Sequence, residues 1–461
     1  MLKKHLINFL ILVNPEKKMI DSESNPKELL DYKNSSLSID QRVSDLISRM
    51  TLIDELVSSL LKYKFKLGLF DNPYVNPELV QSDVRLENER NLALQAAHET
   101  ITLLKNENNL LPINLKKDKS IAIIGPNADR ILLGGYSGVP KYYTSVLQGI
   151  KEKVGSDVNV LYSEGCKITI GGSWNEDIVI PSDPEEDKKM ILEAVEVAKK
   201  AEIVILALGG NEQTSREARN KTHLGDRPDL GLIGMQNELV RSILEIGKTV
   251  IVLIFNGRPT SINYINDNVP AIVNCFYLGQ ETGRAVADVL FGDYNPSGKL
   301  PMSFPHSAGH LPCYYNYKPS ARRGYLFDDI TPLYPFGFGL SYTKFSFSNL
   351  RLEKSTIKCN ESTKALIDIK NVGQRESTEV VQMYIHDCFS SVTRPVKELK
   401  GFKKIQLKPL ETTTVELEIL PKHLTFTNTD KKHIVEPGDF EIMVGNSSRS
   451  EDLEKVILQV L

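Results

Sequence analysis

The chain has 461 residues, enough for about three domains of ordinary size. Its hydrophobic content of 41% and charged content of 25% are those of a folded globular protein, which excludes a collagen-like, coiled-coil or wholly disordered chain. A net charge of −3 gives no surplus of basic residues, so nucleic-acid binding is not expected. No apolar run reaches the roughly 18 residues of a membrane-spanning helix, so a membrane span is not expected either.

The N-terminal part of the chain has weak patterns. Lys3 and Lys4 precede a short apolar stretch at 7–13, which is similar to a secretory signal but has no small-residue cleavage site after it. Residues 42–50 and 56–67 have helical patterns. Between 88 and 105, apolar residues recur at spacings of three and four, which predicts an amphipathic helix.

From about 118 to 292, apolar strand patterns alternate with helical ones. The strands are predicted at 121–124, 203–208, 250–255 and 271–276, and the helices at 183–200, 235–246 and 281–291. Asp183 followed by Pro184 is a typical helix start. Because the strands are unbroken apolar runs, we expect an α/β fold with a mostly parallel sheet sandwiched by helices.

The last third of the chain has a different pattern. Residues 293–342 are rich in Gly, Pro and Tyr without periodicity, which indicates a long ordered crossing segment. Beyond 345, short segments at 365–369, 380–385, 413–419 and 440–444 alternate or run apolar between turns. This spacing predicts an all-β sandwich of about 100 residues.

A long polar loop, residues 209–227, leaves the carboxyl end of the predicted strand 203–208. Ligands of open α/β sheets bind beyond the carboxyl ends of the strands, and a carboxyl group that is partly desolvated there suits general acid chemistry. The alternative is a solvated loop in which Asp226 and Arg227 pair with each other or cap the next helix. The five cysteines are widely spaced and include no CxxC, so no zinc site or disulfide framework is expected.

Several longer segments are distinctive: LLKNENNLLP at 103–112, ADVLFGDYNPSGKLP at 287–301, YPFGFGLSY at 334–342 and PVKELKGF at 395–402. They resemble glycoside hydrolase family 3, the β-glucosidase and β-xylosidase family, and the resemblance covers about residues 40–461. It implies three regions: a short helical remnant of a TIM-type barrel at 1–87, the family's α/β sandwich domain at 88–342, and a fibronectin type III-like β-sandwich at 343–461.

The resemblance implies a retaining hydrolysis of β-linked glucosides or xylosides without metal or organic cofactor. In such a mechanism two carboxyl groups lie about 5–5.5 Å apart, one as nucleophile and one as acid/base. The family's acid/base glutamate falls on Glu217, in Ser215-Arg216-Glu217-Ala218, with Glu212 as the second choice. Arg216, Asp226 and Arg227 are then expected to position the loop or the substrate.

At the N-terminus, this sequence departs from the family pattern. The family's barrel carries the nucleophile, an aspartate in a Ser-Asp-Trp type segment, and such a barrel needs at least about 200 residues. Fewer than ninety residues precede the helix around Leu92, and the sequence contains no Ser-Asp-Trp. No nucleophile is therefore identified, and we expect the isolated chain to have little or no glycosidase activity.

Three alternatives remain open at this level. The chain is a non-catalytic carbohydrate-binding or scaffold paralogue, an incomplete gene product, or a protein complemented by a separate barrel chain; a homo-oligomer is a further possible partner. A periplasmic or secreted location fits the family, but the sequence leaves the compartment unknown.

Overall fold

The computed structural model describes residues 31–48, 54–79, 87–115, 119–171, 174–319, 324–326 and 329–461, and the signal-like start lies outside them. The chain divides into two compact units, Met1–Leu86 and Glu87–Leu461.

The first unit is a pair of helices, α1 (Ile39–Ser48) and α2 (Asp54–Lys66), with a small apolar core that includes Val43 and Phe65. Arg42 is buried, and its guanidinium donates to both carboxylate oxygens of Asp71 at 3.1 and 2.6 Å. Both helical patches predicted for this region are therefore helices.

The second unit begins with a six-stranded sheet. Its strands are β1 (Thr102–Asn106), β2 (Ser120–Ile124), β3 (Asn159–Ser163), β4 (Ile203–Gly209), β5 (Thr249–Phe255) and β6 (Ala271–Asn274). They lie in the order β1-β6-β5-β4-β2-β3, and all neighbours are parallel except β1, which is antiparallel to β6. This confirms the predicted mostly parallel sheet.

Helices cover both faces of this sheet, each over its own apolar core. One face carries α3 (Glu87–Thr100), α4 (Val146–Val154) and α8 (Thr282–Phe291). The other carries α5 (Pro184–Lys199), α6 (Gln236–Glu245) and α7 (Asn263–Asn268). Asp183 caps α5 as predicted, because its side chain accepts a hydrogen bond from the Glu185 amide at 3.0 Å.

The helix predicted over 88–105 is too long. Helix α3 ends at Thr100, and residues 102–106 form β1 at the edge of the sheet. Thr102, Leu103 and Leu104 are all buried there, so this short apolar run gains more from pairing with β6 than from extending the helix.

The chain ends in a β-sandwich. Its two sheets have the orders β11-β10-β15-β16-β8 and β12-β9-β7, and they enclose one apolar core. The strands are β7 (Phe345–Leu352), β8 (Thr356–Ile357), β9 (Thr363–Asn371), β10 (Ser377–Asp387), β11 (Glu398–Leu407), β12 (Thr412–Ile419), β15 (Gly438–Gly445) and β16 (Leu453–Val460). Two short strands, β13 (Phe426–Thr427) and β14 (His433–Ile434), and helix α9 (Pro421–Leu424) complete it.

The α/β part and the β-sandwich contact each other through buried polar groups. Lys299 Nζ lies 2.7 Å from Glu379 Oε1, and Gln382 Nε2 donates to the Gly337 carbonyl at 3.0 Å. The predicted boundaries at 87/88 and 342/343 stay a prediction. Among the described helices, none is both long and apolar enough to cross a membrane.

Candidate active site

The candidate site lies at the carboxyl edge of the sheet, where the strand order reverses. The chain passes from β2 to β3 on one side and then to β4 on the other, so the loops after β2 and β4 diverge at this point. Such a switch point is the usual ligand site of a doubly wound sheet. The loop that was singled out in the sequence begins here, at the end of β4.

At this edge, glycines let the chain turn out of β2 and β4 while it passes close to the backbone of a neighbouring strand. Gly125, after β2, has φ +128°, and Gly209, at the end of β4, has φ +131°. A Cβ atom would lie 2.3 Å from the Ala207 carbonyl oxygen at Gly125 and 1.8 Å from the Phe255 carbonyl oxygen at Gly209. Both positions therefore require glycine on conformational and steric grounds.

Two buried amide side chains fix the start of the loop. Gln236, the first residue of α6, accepts from the Gly209 amide at 2.8 Å and donates to the Gly209 carbonyl at 2.9 Å. Asn127 Nδ2 donates to the Gly210 carbonyl at 3.1 Å. The exit of the chain from β4 is thus held by a helix and by the neighbouring loop.

The next residues of the loop are anchored to each other and to the loop after β6. The Thr214 amide donates to Asn211 Oδ1 at 3.1 Å, and the Asn211 amide donates to Thr214 Oγ1 at 2.9 Å. The hydroxyl oxygens of Ser215 and Tyr277 are 2.8 Å apart, and burial raises the pKa of Tyr277 to about 12. Tyr277 therefore stays a neutral hydrogen-bonding anchor at physiological pH.

Glu212, the second choice for the acid/base, is occupied by an ion pair. Its side chain is 19% exposed, and both carboxylate oxygens accept from Arg130 Nη2 at 3.1 Å. The carboxylate therefore lies against the loop after β2 rather than presenting a proton to a substrate.

Arg216 is the most buried of the predicted site residues, with 1% of its surface exposed. Its guanidinium donates to the carbonyls of Leu224, Trp174, Glu176 and Asp177 at 2.8, 3.2, 2.6 and 2.8 Å. The buried charge is thus satisfied by backbone oxygens of two loops. This side chain ties the β4 loop to residues 174–177.

The backbone around Glu217 is held from several sides. The Ala218 amide donates to Asp226 Oδ1 at 3.0 Å, and Arg258 Nη2 donates to the Arg216 carbonyl at 2.9 Å. A Cβ atom on Gly225 would lie 2.5 Å from the Arg216 carbonyl oxygen, so only glycine fits beside this segment.

The Glu217 side chain itself is exposed. A partly desolvated carboxyl group was expected in this loop; the Glu212 side chain is 19% exposed, whereas Glu217 is an exposed residue. The segment around it is tightly held by hydrogen bonds, whereas Glu217 itself is exposed.

In the described structure, Asp226 and Arg227 do not form an ion pair with each other. Neither of them caps α6, which begins after Met235. Arg227 Nη2 donates to the Gly231 carbonyl at 2.7 Å, and burial lowers the pKa of its guanidinium, which stays charged at physiological pH. Asp226 holds the Ala218 amide, as described above. Asp226 thus contacts the segment that carries Glu217, whereas Arg227 fixes the chain further along at Gly231.

Sequence reasoning missed His223, whose Nδ1 lies 2.7 Å from Asp177 Oδ1 and adds a second link between the two loops. This hydrogen bond lowers the pKa of Asp177. Arg130, Tyr277 and Gln236 were missed as well. In the residues that the structure describes, no group of three or more His, Cys, Asp or Glu side chains is arranged to hold a metal ion.

Comparison with known protein families gives two matches. The glycosyl hydrolase family 3 C-terminal domain matches residues 101–342, and a fibronectin type III-like domain matches residues 379–448. The first match includes the whole loop from Gly209 to Arg227.

Similar proteins carry glycosidase names. The chain is 44% identical to a β-xylosidase of Formosa agariphila, over 89% of this chain and 56% of that protein. It is 37% identical to a periplasmic β-glucosidase of Salmonella typhimurium, over 87% and 54%. The structure of an Erythrobacter marinus β-glucosidase superposes with a TM-score of 0.83 at 39% identity, over 92% and 56%. The chain thus spans about half the length of these relatives.

Proposed function

The chain belongs to glycoside hydrolase family 3, and from that premise we propose that its β4 loop supplies the acid/base of a retaining β-glycosidase reaction. Glu217 is the proposed acid/base. The proposed substrates are β-linked glucosides or xylosides, because the similar proteins are named β-glucosidases and β-xylosidases.

The observation that carries this proposal is the contrast between Glu217 and its neighbours. Its backbone is held by Asp226, Gly225 and Arg258, while its carboxyl group is exposed at the carboxyl edge of the sheet. An acid/base must be fixed in position and must also reach both the leaving oxygen and the attacking water. Glu212 is less suited, because both of its oxygens already accept from Arg130.

Retention needs a second carboxylate, placed about 5–5.5 Å from the first, that attacks the anomeric carbon. We infer that a barrel domain of the family type provides it, on the same polypeptide or on a separate chain. Such a domain would also cover and desolvate Glu217.

Exposed apolar side chains in three loops at this edge of the sheet support a docking partner there. They are Tyr136, Val139, Ile178, Ile180 and Leu224. Several large apolar side chains exposed in neighbouring loops are typical of an interaction site rather than of a surface that stays in water. A second copy of the chain would cover the same side chains but would bring no barrel.

The proposal predicts that the purified 461-residue chain does not hydrolyse 4-nitrophenyl β-glucoside or β-xyloside. A general acid alone contributes about 10²–10⁴-fold, and without a nucleophile the retaining route is closed. The control is Glu217→Gln, which should release nitrophenol at the same background rate. Turnover by the wild-type chain that disappears in Glu217→Gln would contradict the proposal that a second domain is needed.

A further inference from the structure

We propose that the chain carries a second small-molecule site, a pocket behind the loop that bears Glu217, which takes neutral and mainly apolar molecules with one or two hydroxyl groups. The pocket has a volume of about 460 Å³, within the size range of small-molecule sites. Glu217 is not among its walls.

The pocket lies between the loop after β3 and the loop after β4. Six of its fourteen lining residues have apolar side chains, contributed by both loops, six have polar side chains and two are glycines.

Hydrogen bonds within the protein hold the two walls in place. Thr169 and Pro181 form an antiparallel bridge, next to a hydrogen bond of 2.9 Å from the Ile170 amide to the Ile180 carbonyl. Asn211 Nδ2, in the β4 loop, donates to Thr169 Oγ1 at 2.8 Å. The two walls are therefore tied together by the protein's own hydrogen bonds, which lowers the cost of ordering them around a ligand.

The charges in the walls favour a neutral ligand. The one cation, Arg227, already donates to the Gly231 carbonyl and to Asp229 Oδ1 at 2.7 and 3.3 Å. The wall carboxylates of Asp226 and Asp229 would repel an anion, and they offer little to a cation because they already accept from the Ala218 amide, the Gly231 amide and Arg227. Thr214 and Asp226 offer oxygen atoms to a hydroxyl group, and Ile168, Val179 and Leu232 offer apolar contact.

The pocket shares its wall with the segment that carries Glu217. Gly225 and Asp226 line the pocket, and they also contact the backbone of residues 216–218. A ligand that moves this wall moves the proposed acid/base with it. The Trp174 carbonyl accepts from Arg216 at 3.2 Å and its ring lies 5.0 Å from the Tyr136 ring, so the indole signal of this single tryptophan reports on movement of the loops rather than on contact with a ligand.

The test titrates the ¹⁵N-labelled 461-residue chain with 2-naphthol, which is neutral, apolar and carries one hydroxyl group. The readouts are ligand saturation-transfer NMR and the shift of the Trp174 indole N–H signal. For a ligand of this size we expect saturable binding with a Kd of about 1 mM. Absence of saturable binding in several-fold excess of that concentration would overturn the proposal.

Two neighbouring substitutions separate pocket binding from surface adsorption. Val179→Phe fills the pocket and should raise the Kd at least about fivefold, whereas Ile178→Phe adds the same ring to an exposed residue outside the pocket and should leave it unchanged. Equal weakening by both would overturn the site. If Val179→Phe does not fold, Val179→Met takes its place with the same outcomes. The assay needs no turnover, so its result is independent of the proposed glycosidase function.

Discussion

Arg216 and Glu217 are adjacent in sequence but lie in opposite environments. Arg216 is buried and donates to four backbone carbonyls, whereas Glu217 is exposed. We infer that the two residues have different roles: Arg216 holds two loops together, and Glu217 is accessible to a substrate. Both residues were singled out in the sequence, but only the structure separates a positioning side chain from one that can meet a substrate.

Replacing Arg216 by alanine should lower the free energy of unfolding by at least about 3 kcal/mol, because it leaves several buried carbonyl oxygens without donors. Urea unfolding measures this loss. Arg219→Ala is the matched control, since the Arg219 side chain is 72% exposed and lies 3.6 Å from Asp177. Its effect should stay below about 1 kcal/mol. Equal stability of the two variants would show that Arg216 does not hold the loops.

The sequence predicts the site only in part. Glu217, Asp226 and Arg227 share one loop, so a single pattern found them. Arg130 and Tyr277 lie more than sixty residues from the side chains they bind, Glu212 and Ser215. Such contacts depend on how the chain returns to the sheet edge, and no local pattern records that.

The strand ends, rather than the strand centres, decide where the β4 loop goes. Gly125 and Gly209 let β2 and β4 turn away at the switch point, and Gln236 then ties the end of β4 to α6. The apolar runs of β4 and β5 made those strands predictable. The switch from α3 to β1 was not predictable, because Leu103 and Leu104 fit the helical spacing and gain their burial only from β6.

Gly209→Ala should destabilise the second unit by at least about 3 kcal/mol, since the new Cβ atom would lie 1.8 Å from the Phe255 carbonyl oxygen. Gly155→Ala separates this clash from backbone strain. Gly155 also has a positive φ, +60°, but a Cβ atom there would meet nothing within 4 Å. Because φ +60° with ψ −146° is a region that non-glycine residues avoid, we expect that variant to lose about 1–3 kcal/mol in thermal or urea unfolding. Similar losses for both variants would rule out a steric role for Gly209.

At the scale of the whole molecule, the α/β part and the β-sandwich are joined by a buried ion pair. The side chains of Lys299 and Glu379 are 12% and 7% exposed, and Lys299 Nζ also donates to the Gly339 carbonyl at 2.8 Å. The segment that contains Lys299 was recognised in the sequence as a family feature. Its contact with the β-sandwich was not foreseen, because the partner lies eighty residues further along the chain.

Lys299→Met should lower the stability by about 3–5 kcal/mol, because it leaves the Glu379 carboxylate buried without its cation. Adding Glu379→Met should restore much of the loss, and a double-mutant cycle from urea unfolding measures the coupling. Lys364→Met is the control, because Lys364 and Glu416 form an exposed ion pair within the β-sandwich. This substitution should lower the stability by less than about 1 kcal/mol. A double variant less stable than Lys299→Met alone would contradict this account.

The central claim is that Glu217 is the acid/base of a reaction whose nucleophile lies in another domain. The direct test fuses residues 87–461 behind the N-terminal half of the Formosa agariphila β-xylosidase, the relative that is 44% identical to the chain. Hydrolysis of aryl xylosides with good and poor leaving groups is then compared among the wild-type fusion, Glu217→Gln and Glu212→Gln.

We expect Glu217→Gln to lower kcat/KM about 10²–10⁴-fold for substrates with poor leaving groups. The loss in kcat/KM should be far smaller for 2,4-dinitrophenyl xyloside, because its phenolate leaves without a proton. Added azide attacks the glycosyl-enzyme in place of water and needs no general base, so it should restore kcat for that substrate. Glu212→Gln should lose activity by a similar factor for all leaving groups. A Glu217→Gln variant that is indifferent to the leaving group, or a Glu212→Gln variant that depends on it, would contradict the assignment.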